Sequence, residues 1–361
     1  MKRAKTMAII LAMTLILPGC EEVENPEALN EITTLLENID LSAVSAPEEV
    51  SVYSAVLWGQ PPEKAAGIFL GNGFAETKAD AKGRNFVKKS GQTQEEIVSV
   101  HDGGRTYFGN GGHEAENGIT YLRNDLVKIG VHSDGYEEMA NDYVAGSGMI
   151  TGDVPDENNK TFLAVKGNVL QYLKQLGMEG YALDAAASLD TKKKTGKEGC
   201  WMVWKQMIDG IPVSDTAIRH DEREVYNFRH GITNSKWNAY DSSLNVMYVG
   251  NELAEWTNAY VVRADKVLKK SPVVPVRQAY HRVKACYPPE KTGIHTLERA
   301  ELQYELVEWA DQVGKYYLYP VWVFTVHEET DNTDETKNWI YYLIDAITGD
   351  FFCDIPAELL Q

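Results

Sequence analysis

The sequence predicts an α+β protein in which a helix followed by antiparallel strands occurs twice, behind a smaller N-terminal α+β domain. Three observations lead there. Apolar residues recur at helical spacing over residues 160–176 and again over 276–287. Each helical stretch is followed by runs rich in β-branched and aromatic residues, which suit a half-buried pleated surface. Ahead of both, over residues 49–150, short strand-like runs are separated by glycine-rich turns. An apolar fraction of 43% is ample for a packed core.

The chain opens with Lys2, Arg3 and Lys5, then an uncharged apolar run from Met7 to Leu17. A basic start, a short apolar core and small residues at the cut are the parts of an export signal. The run is shorter than the ~20 apolar residues needed to span a bilayer. Its ending, Leu17-Pro18-Gly19-Cys20, resembles the lipobox of bacterial lipoproteins. The resemblance implies cleavage of residues 1–19, a thioether-linked diacylglycerol on Cys20, and a place on the extracytoplasmic face of the cell membrane. The first partner it implies is therefore the lipid bilayer. Two acyl chains contribute ~0.8 kcal/mol per buried methylene, where a single chain would be marginal.

Without the first 19 residues 342 remain, more than the ~100–200 of one ordinary domain. The formal charge is −18 and becomes more negative once Lys2, Arg3 and Lys5 leave. Such a surface repels phosphate backbones and excludes nucleic acid as a partner. Beyond Cys20 the cysteines are Cys200, Cys286 and Cys353, so at most one disulfide can form within the chain. No pair has the C-x-x-C spacing of a redox or zinc motif.

Residues 20–48 read as a tether. Asn25-Pro26 starts a short amphipathic helix, with Leu29, Ile32, Leu35, Leu36 and Ile39 in register. In the 49–150 domain, 50–58 reads as a strand and Pro61-Pro62-Glu63 opens a helix to Leu70. Residues 97–100, 105–108 and 119–122 read as further strands. The first repeat, 159–265, has a helix from Lys160 to Leu176 with Gly177 as its C-cap. Strands follow at 181–189 and 200–209, then a polar aromatic insert, then a hairpin over 244–262 turning at Gly250-Asn251. The second repeat, 272–361, has its helix over 276–287. Alternation at Leu302, Tyr304 and Leu306 favours a strand over 297–309. Strands over 317–327 and 339–346 carry apolar residues on both faces, so both faces should be covered.

This order, with Pro320-Val321-Trp322-Val323-Phe324 and then Tyr342-Leu343-Ile344-Asp345-Ala346-Ile347-Thr348-Gly349-Asp350, resembles PepSY-like modules. Related modules occur in the extracytoplasmic regulators YycH and YycI of Gram-positive bacteria. Ile208-Asp209-Gly210-Ile211-Pro212-Val213 is similar to the corresponding stretch of such modules. The whole chain looks like a group of uncharacterised clostridial lipoproteins. The resemblance implies binding or regulation of an envelope protein or peptide rather than enzymatic catalysis.

The residues themselves carry no catalytic or metal-binding motif and imply no cofactor. His113-Glu114 lacks the second histidine of a metalloprotease helix. His220 and His230 flank an acidic segment, His101 precedes Asp102, and His281 and Cys286 are five apart on one helix. Asp331–Glu335 lacks the glycine and terminal glutamate of a calcium loop. No nucleophile elbow is present. Gly71-Asn72-Gly73-Phe74 reads as a helix stop rather than a phosphate loop.

Trp201, Trp204, Tyr226, Phe228, Trp237, Tyr240, Tyr248, Trp256 and Tyr260 concentrate in the first repeat. Those on strands read as core. Trp237 and Tyr240, in the polar insert, are the candidate binding surface. A small-ligand or glycan receptor using these aromatics is the alternative function.

Overall fold

The computed structural model describes residues 34–57, 59–80, 83–90, 94–102, 117–123, 125–127, 159–214, 224–225, 227, 237–240, 242–309, 314–329, 339–353, 355–356 and 359. In chain order the elements are β1 (Leu35–Glu37), β2 (Glu49–Leu57), α1 (Pro62–Leu70), β3 (Ala75–Asp80), β4 (Gly83–Ser90), β5 (Gln94–Asp102) and β6 (Asn117–Arg123). Then come α2 (Lys160–Leu176), β7 (Tyr181–Leu189), α3 (Lys192–Thr195), β8 (Gly199–Ile208), β9 (Ile211–Pro212), β10 (Glu224–Val225) and β11 (Trp237–Tyr240). The last are β12 (Leu244–Val249), β13 (Glu252–Ala259), β14 (Val262–Pro272), α4 (Val276–Lys284), β15 (Ile294–Trp309), β16 (Tyr316–Glu329) and β17 (Trp339–Asp345).

The protein is α+β, with its strands in two sheets. A nine-stranded sheet runs β3-β4-β5-β6-β13-β12-β8-β7, with β9 paired to β8. An eight-stranded sheet runs β1-β15-β16-β17-β10, with β11 on β15 and β2 joining β14 to β16. Pairing is antiparallel except where β1 meets β15 and β10 meets β17.

The helices cover one face of each sheet. Asn159 caps α2, its side-chain oxygen accepting from the amides of Thr161 (2.9 Å) and Phe162 (3.3 Å). Gly177 ends it in the left-handed region at φ 67°. The apolar stripe Phe162, Val165, Val169, Leu173 and Leu176 packs with Phe69 and Leu70 of α1 onto the nine-stranded sheet. In the eight-stranded sheet, Ala279, Tyr280 and Val283 of α4 cover one face. Phe352, Ile355 and Leu359 cover the other, so β16 and β17 are covered on both faces, as their composition predicts.

Three expectations change. Residues 35–37 form a strand rather than the end of an amphipathic helix. Leu35 is buried in the core and Leu35–Glu37 pair in register with His295–Leu297. Backbone pairing with an open sheet edge outweighs helical periodicity in so short a segment. The rest of that expected helix, the signal segment and Cys20 lie outside the described residues. Residues 49–150 have no sheet of their own among the described residues. β2 joins the eight-stranded sheet, while β3 to β6 extend the nine-stranded one through the β6–β13 pair. Finally, 237–240 is a strand rather than irregular insert. The expected strand over 105–108 lies outside the described residues.

Two of the chain's passages between the sheets meet beside Gln206. After β8, Asp209 (φ 51°) and Gly210 (φ 79°) form a tight Asp-Gly hairpin of the kind that suits the strand twist. Val213 then bridges to Tyr304 of β15, and the Ser214 amide donates to the Tyr304 carbonyl at 2.8 Å. The second crossing is Tyr260, a non-glycine residue at φ 47°, between β13 and β14. There the Gln206 side chain clamps Val262, donating through Nε2 to its carbonyl and accepting from its amide at 3.2 Å.

Beside the clamp sits Lys205, 2% exposed. Its ammonium lies 3.3 Å from Asp184 on β7 and 3.2 Å from Glu301 on β15, so it neutralises one carboxylate from each sheet. Arg299 pairs with the same Glu301, which also accepts from Gln303 at 2.7 Å. Removing one partner of a buried ion pair leaves an uncompensated charge, at a cost of about 3–5 kcal/mol. Lys205→Met is therefore expected to lower the unfolding free energy by about 3 kcal/mol, read by urea denaturation. An unchanged midpoint would remove the network from the list of forces joining the sheets.

Candidate functional site

A cleft of about 310 Å³ opens between α2 and the tip of the β12–β13 hairpin. Asn168, Gln171, Tyr172 and Gln175 of α2 form one wall; their spacing of three or four residues puts them on one helix face. Ile68 of α1, Leu253 of β13 and Asn251 of the hairpin turn complete the rim, and Tyr248 of β12 lies beneath.

Local structure explains each placement. β12 and β13 close through Gly250-Asn251, with Gly250 at φ 63°, which a two-residue hairpin with Gly in first place requires. A β-bulge falls between Met247 and Tyr248, and such bulges re-aim a side chain. Here the extra residue is Ala254 on β13, which puts Leu253 on the same face as Trp256, while Tyr248 faces the helices by plain alternation with Leu244 and Val246, within the core cluster that α1 and α2 cover. Tyr172 is held by stacking on Phe69, ring centroids 5.2 Å apart, and by the edge of Trp256 at 6.0 Å.

Chemically the lining is uncharged: four carboxamides, two phenols and two aliphatic side chains. Tyr248 is 1% exposed and its hydroxyl has no hydrogen-bond partner among the described residues. Burial pushes that phenol, and the Tyr172 phenol, above the ordinary tyrosine value. Both hydroxyls therefore stay protonated at neutral pH and can donate as well as accept. Carboxamides do the same without changing charge. The arrangement can hold a hydrogen-bonding ligand and supplies no group that takes or gives up a proton near pH 7.

A second polar constellation lies under β1. The Tyr342 hydroxyl donates to that of Tyr287 (2.6 Å), which donates to Glu328 at 3.2 Å. Lys291 donates to the same carboxylate oxygen at 2.8 Å and lies 3.8 Å from the Tyr287 ring centroid. His295 Nδ1 is 3.5 Å from that oxygen; burial, with Lys291 nearby, lowers its pKa and favours the neutral ring. The Tyr287 carbonyl also accepts the Thr34 amide at 3.3 Å. The Tyr342–Tyr287–Glu328–Lys291 chain, with the Thr34 amide on Tyr287, anchors the first described residues on the eight-stranded sheet.

The candidates read from sequence fall elsewhere. Trp201, Trp204, Trp256 and Tyr260 are buried in the strand core, as is Tyr248 apart from its place under the cleft. The backbone of Trp237 and Tyr240 lies in β11, opposite Trp309 and Leu306 of β15, and not at the cleft. Tyr226, Phe228, His113, His220, His230 and Asp331–Glu335 lie outside the described residues. Burial pushes the Cys200 thiol up to about 12, and the thiols of Cys286 and Cys353 donate to the carbonyls of Arg282 (3.5 Å) and Phe351 (3.1 Å). Among the described residues no three His, Cys, Asp or Glu side chains gather as a metal-binding group. Sequence reasoning passed over the cleft because Asn168, Gln171 and Gln175 look like an ordinary solvated helix face. The one available signal was three carboxamides on a single face beside Tyr172.

No family model matches the chain, and no curated protein matches it. Among solved structures it is similar to an uncharacterized protein from Eubacterium rectale ATCC 33656, at 13% identity and a TM-score of 0.56. The match covers 86% of this chain and 88% of that one. At that identity the likeness is one of fold, and it extends over both sheets.

An unpartnered buried hydroxyl costs about 1–3 kcal/mol. Tyr248→Phe is thus expected to raise the stability of the ligand-free protein by about 1 kcal/mol, measured by thermal and urea unfolding. A clear loss of stability would mean that the hydroxyl is already satisfied in the free protein.

Proposed function

We infer that this is a non-enzymatic binding protein, held by a diacylglyceryl group on Cys20 to the extracytoplasmic face of the membrane and built on two PepSY-like units. Its recognition site is the cleft between α2 and the β12–β13 hairpin, and its ligand is small, neutral and rich in hydrogen-bonding groups. The single observation that carries this is the buried, unpartnered Tyr248 hydroxyl under a rim of carboxamides. Buried polar groups are as a rule hydrogen-bonded, and a ligand would complete this one. The duplication is supported by the order within each half, where α2 precedes β7 and β8 and α4 precedes β15 to β17. The lipid address is supported by Leu17-Pro18-Gly19-Cys20.

A protein or peptide partner is the second reading. It is favoured by Leu163 and Leu170, two turns apart on α2 and 51% and 47% exposed. Apolar side chains at that spacing can dock against a partner's surface.

Two measurements test the inference. Replacing Cys20 by Ala is expected to move the protein from the membrane fraction to the soluble one; unchanged fractionation would refute the lipid anchor. A thermal-shift screen of neutral saccharides, nucleosides and peptide amides is expected to give stabilisation by one class that Asn168→Ala with Gln171→Ala abolishes. Stabilisation that persists in the double variant would move the site away from the cleft.

A further inference from the structure

We propose that the ligand of the cleft is a neutral carbohydrate, a pyranose end group of about one or two rings; this rests on the reading of the cleft as the binding site. Four features of the cleft select that class. First, none of the lining side chains is charged, so a phosphate, carboxylate or ammonium group would lose its hydration without finding a counter-charge. Second, Asn168, Gln171, Gln175 and Asn251 each present a donor and an acceptor side by side. Adjacent sugar hydroxyls need that pairing, because each both donates and accepts.

Third, the volume of about 310 Å³ lies at the lower limit of ligand pockets, ~300 Å³. Tyr172, Ile68 and Leu253 give it a small apolar surface, suited to the C–H face of a pyranose. Fourth, an extended peptide would add to an open strand edge, and none lines the cleft. β12 is paired on both sides, to β8 and β13, and β13 to β12 and β6. The Tyr248 hydroxyl, buried beneath the cleft and unpartnered among the described residues, is then the specificity-determining group: a sugar hydroxyl that parts the rim side chains above it converts a destabilising group into a hydrogen bond.

The experiment uses the full lipidated chain in detergent. Calorimetry and chemical-shift titration would use maltose, cellobiose and the β-1,4-linked disaccharide of N-acetylglucosamine. Co-sedimentation with purified cell-wall glycan separates a polymer end from a free sugar as the source. Saturable binding of at least one saccharide is expected. Tyr248→Phe should weaken it about tenfold, the effect of one buried hydrogen bond. Gln171→Ala with Gln175→Ala, both exposed helix positions that alanine suits, should weaken it at least as much. Lys166→Ala, on α2 but outside the cleft lining, should leave it unchanged. If no saccharide binds, or if binding is indifferent to both cleft variants, the proposal is overturned. A neutral peptide amide or nucleoside that binds, and loses affinity in Tyr248→Phe, would overturn the carbohydrate class while leaving the cleft as the site. If no ligand depends on Tyr248 or on Gln171 and Gln175, both fall.

Discussion

The Gln206 carboxamide grips both backbone groups of Val262 just after the chain leaves the nine-stranded sheet for the eight-stranded one. Next to it, the buried Lys205 ammonium neutralises a partly exposed carboxylate from each sheet. The apolar residues of the two sheets form separate cores, and the one under α1 and α2 does not merge with the one under α4. The seam is thus polar and directional. Apolar contact alone would let two sheets slide, whereas a two-bond amide clamp and an ion network are satisfied in one relative position only. Tyr53 adds to this, donating from β2 to the Asp209 carboxylate at the hairpin that turns the chain across.

The cleft inherits its shape from this arrangement. β8 carries Lys205 and Gln206 at the seam and pairs over Gly199–Trp204 with β12, which brings Tyr248 under α2. The bulge beside Tyr248 and the capped, apolar stripe of α2 then set the distance between the two walls. An unpartnered hydroxyl persists there because the packing around it is over-determined: Phe69, Tyr172 and Trp256 stack into one aromatic group.

Much of this was legible in the sequence where periodicity and caps agree. The helix over 160–176 follows from its apolar stripe and from Asn159 and Gly177. The strand over 297–309 follows from alternation against a contrary propensity. Asp345 caps its turn as its position suggests, accepting from Ile347 at 2.7 Å and Thr348 at 3.2 Å. What was missed is hydrophilic. β3 and β4, with the sequences AETKAD and GRNFVKKS, are at or next to a sheet edge and need few apolar residues. β14 is lysine-rich and bulged twice, the means by which exposed edges are blunted. Pairing between segments far apart in sequence made these strands, and no local pattern reports that. The cleft was hidden for a related reason. Carboxamides on a helix carry no motif, and Tyr248, alternating with Leu244 and Val246, reads as core.

Native-state hydrogen exchange with increasing urea would test the role of the seam most directly, because it reads the opening free energy of each sheet separately. The amides of β8 and β12 on one side, and of β16 and β17 on the other, are expected to converge on a single global opening, together with Val262 at the clamp. Opening of the nine-stranded sheet at low urea, with the eight-stranded sheet still protected, would show two independent bodies and contradict a seam that binds them into one.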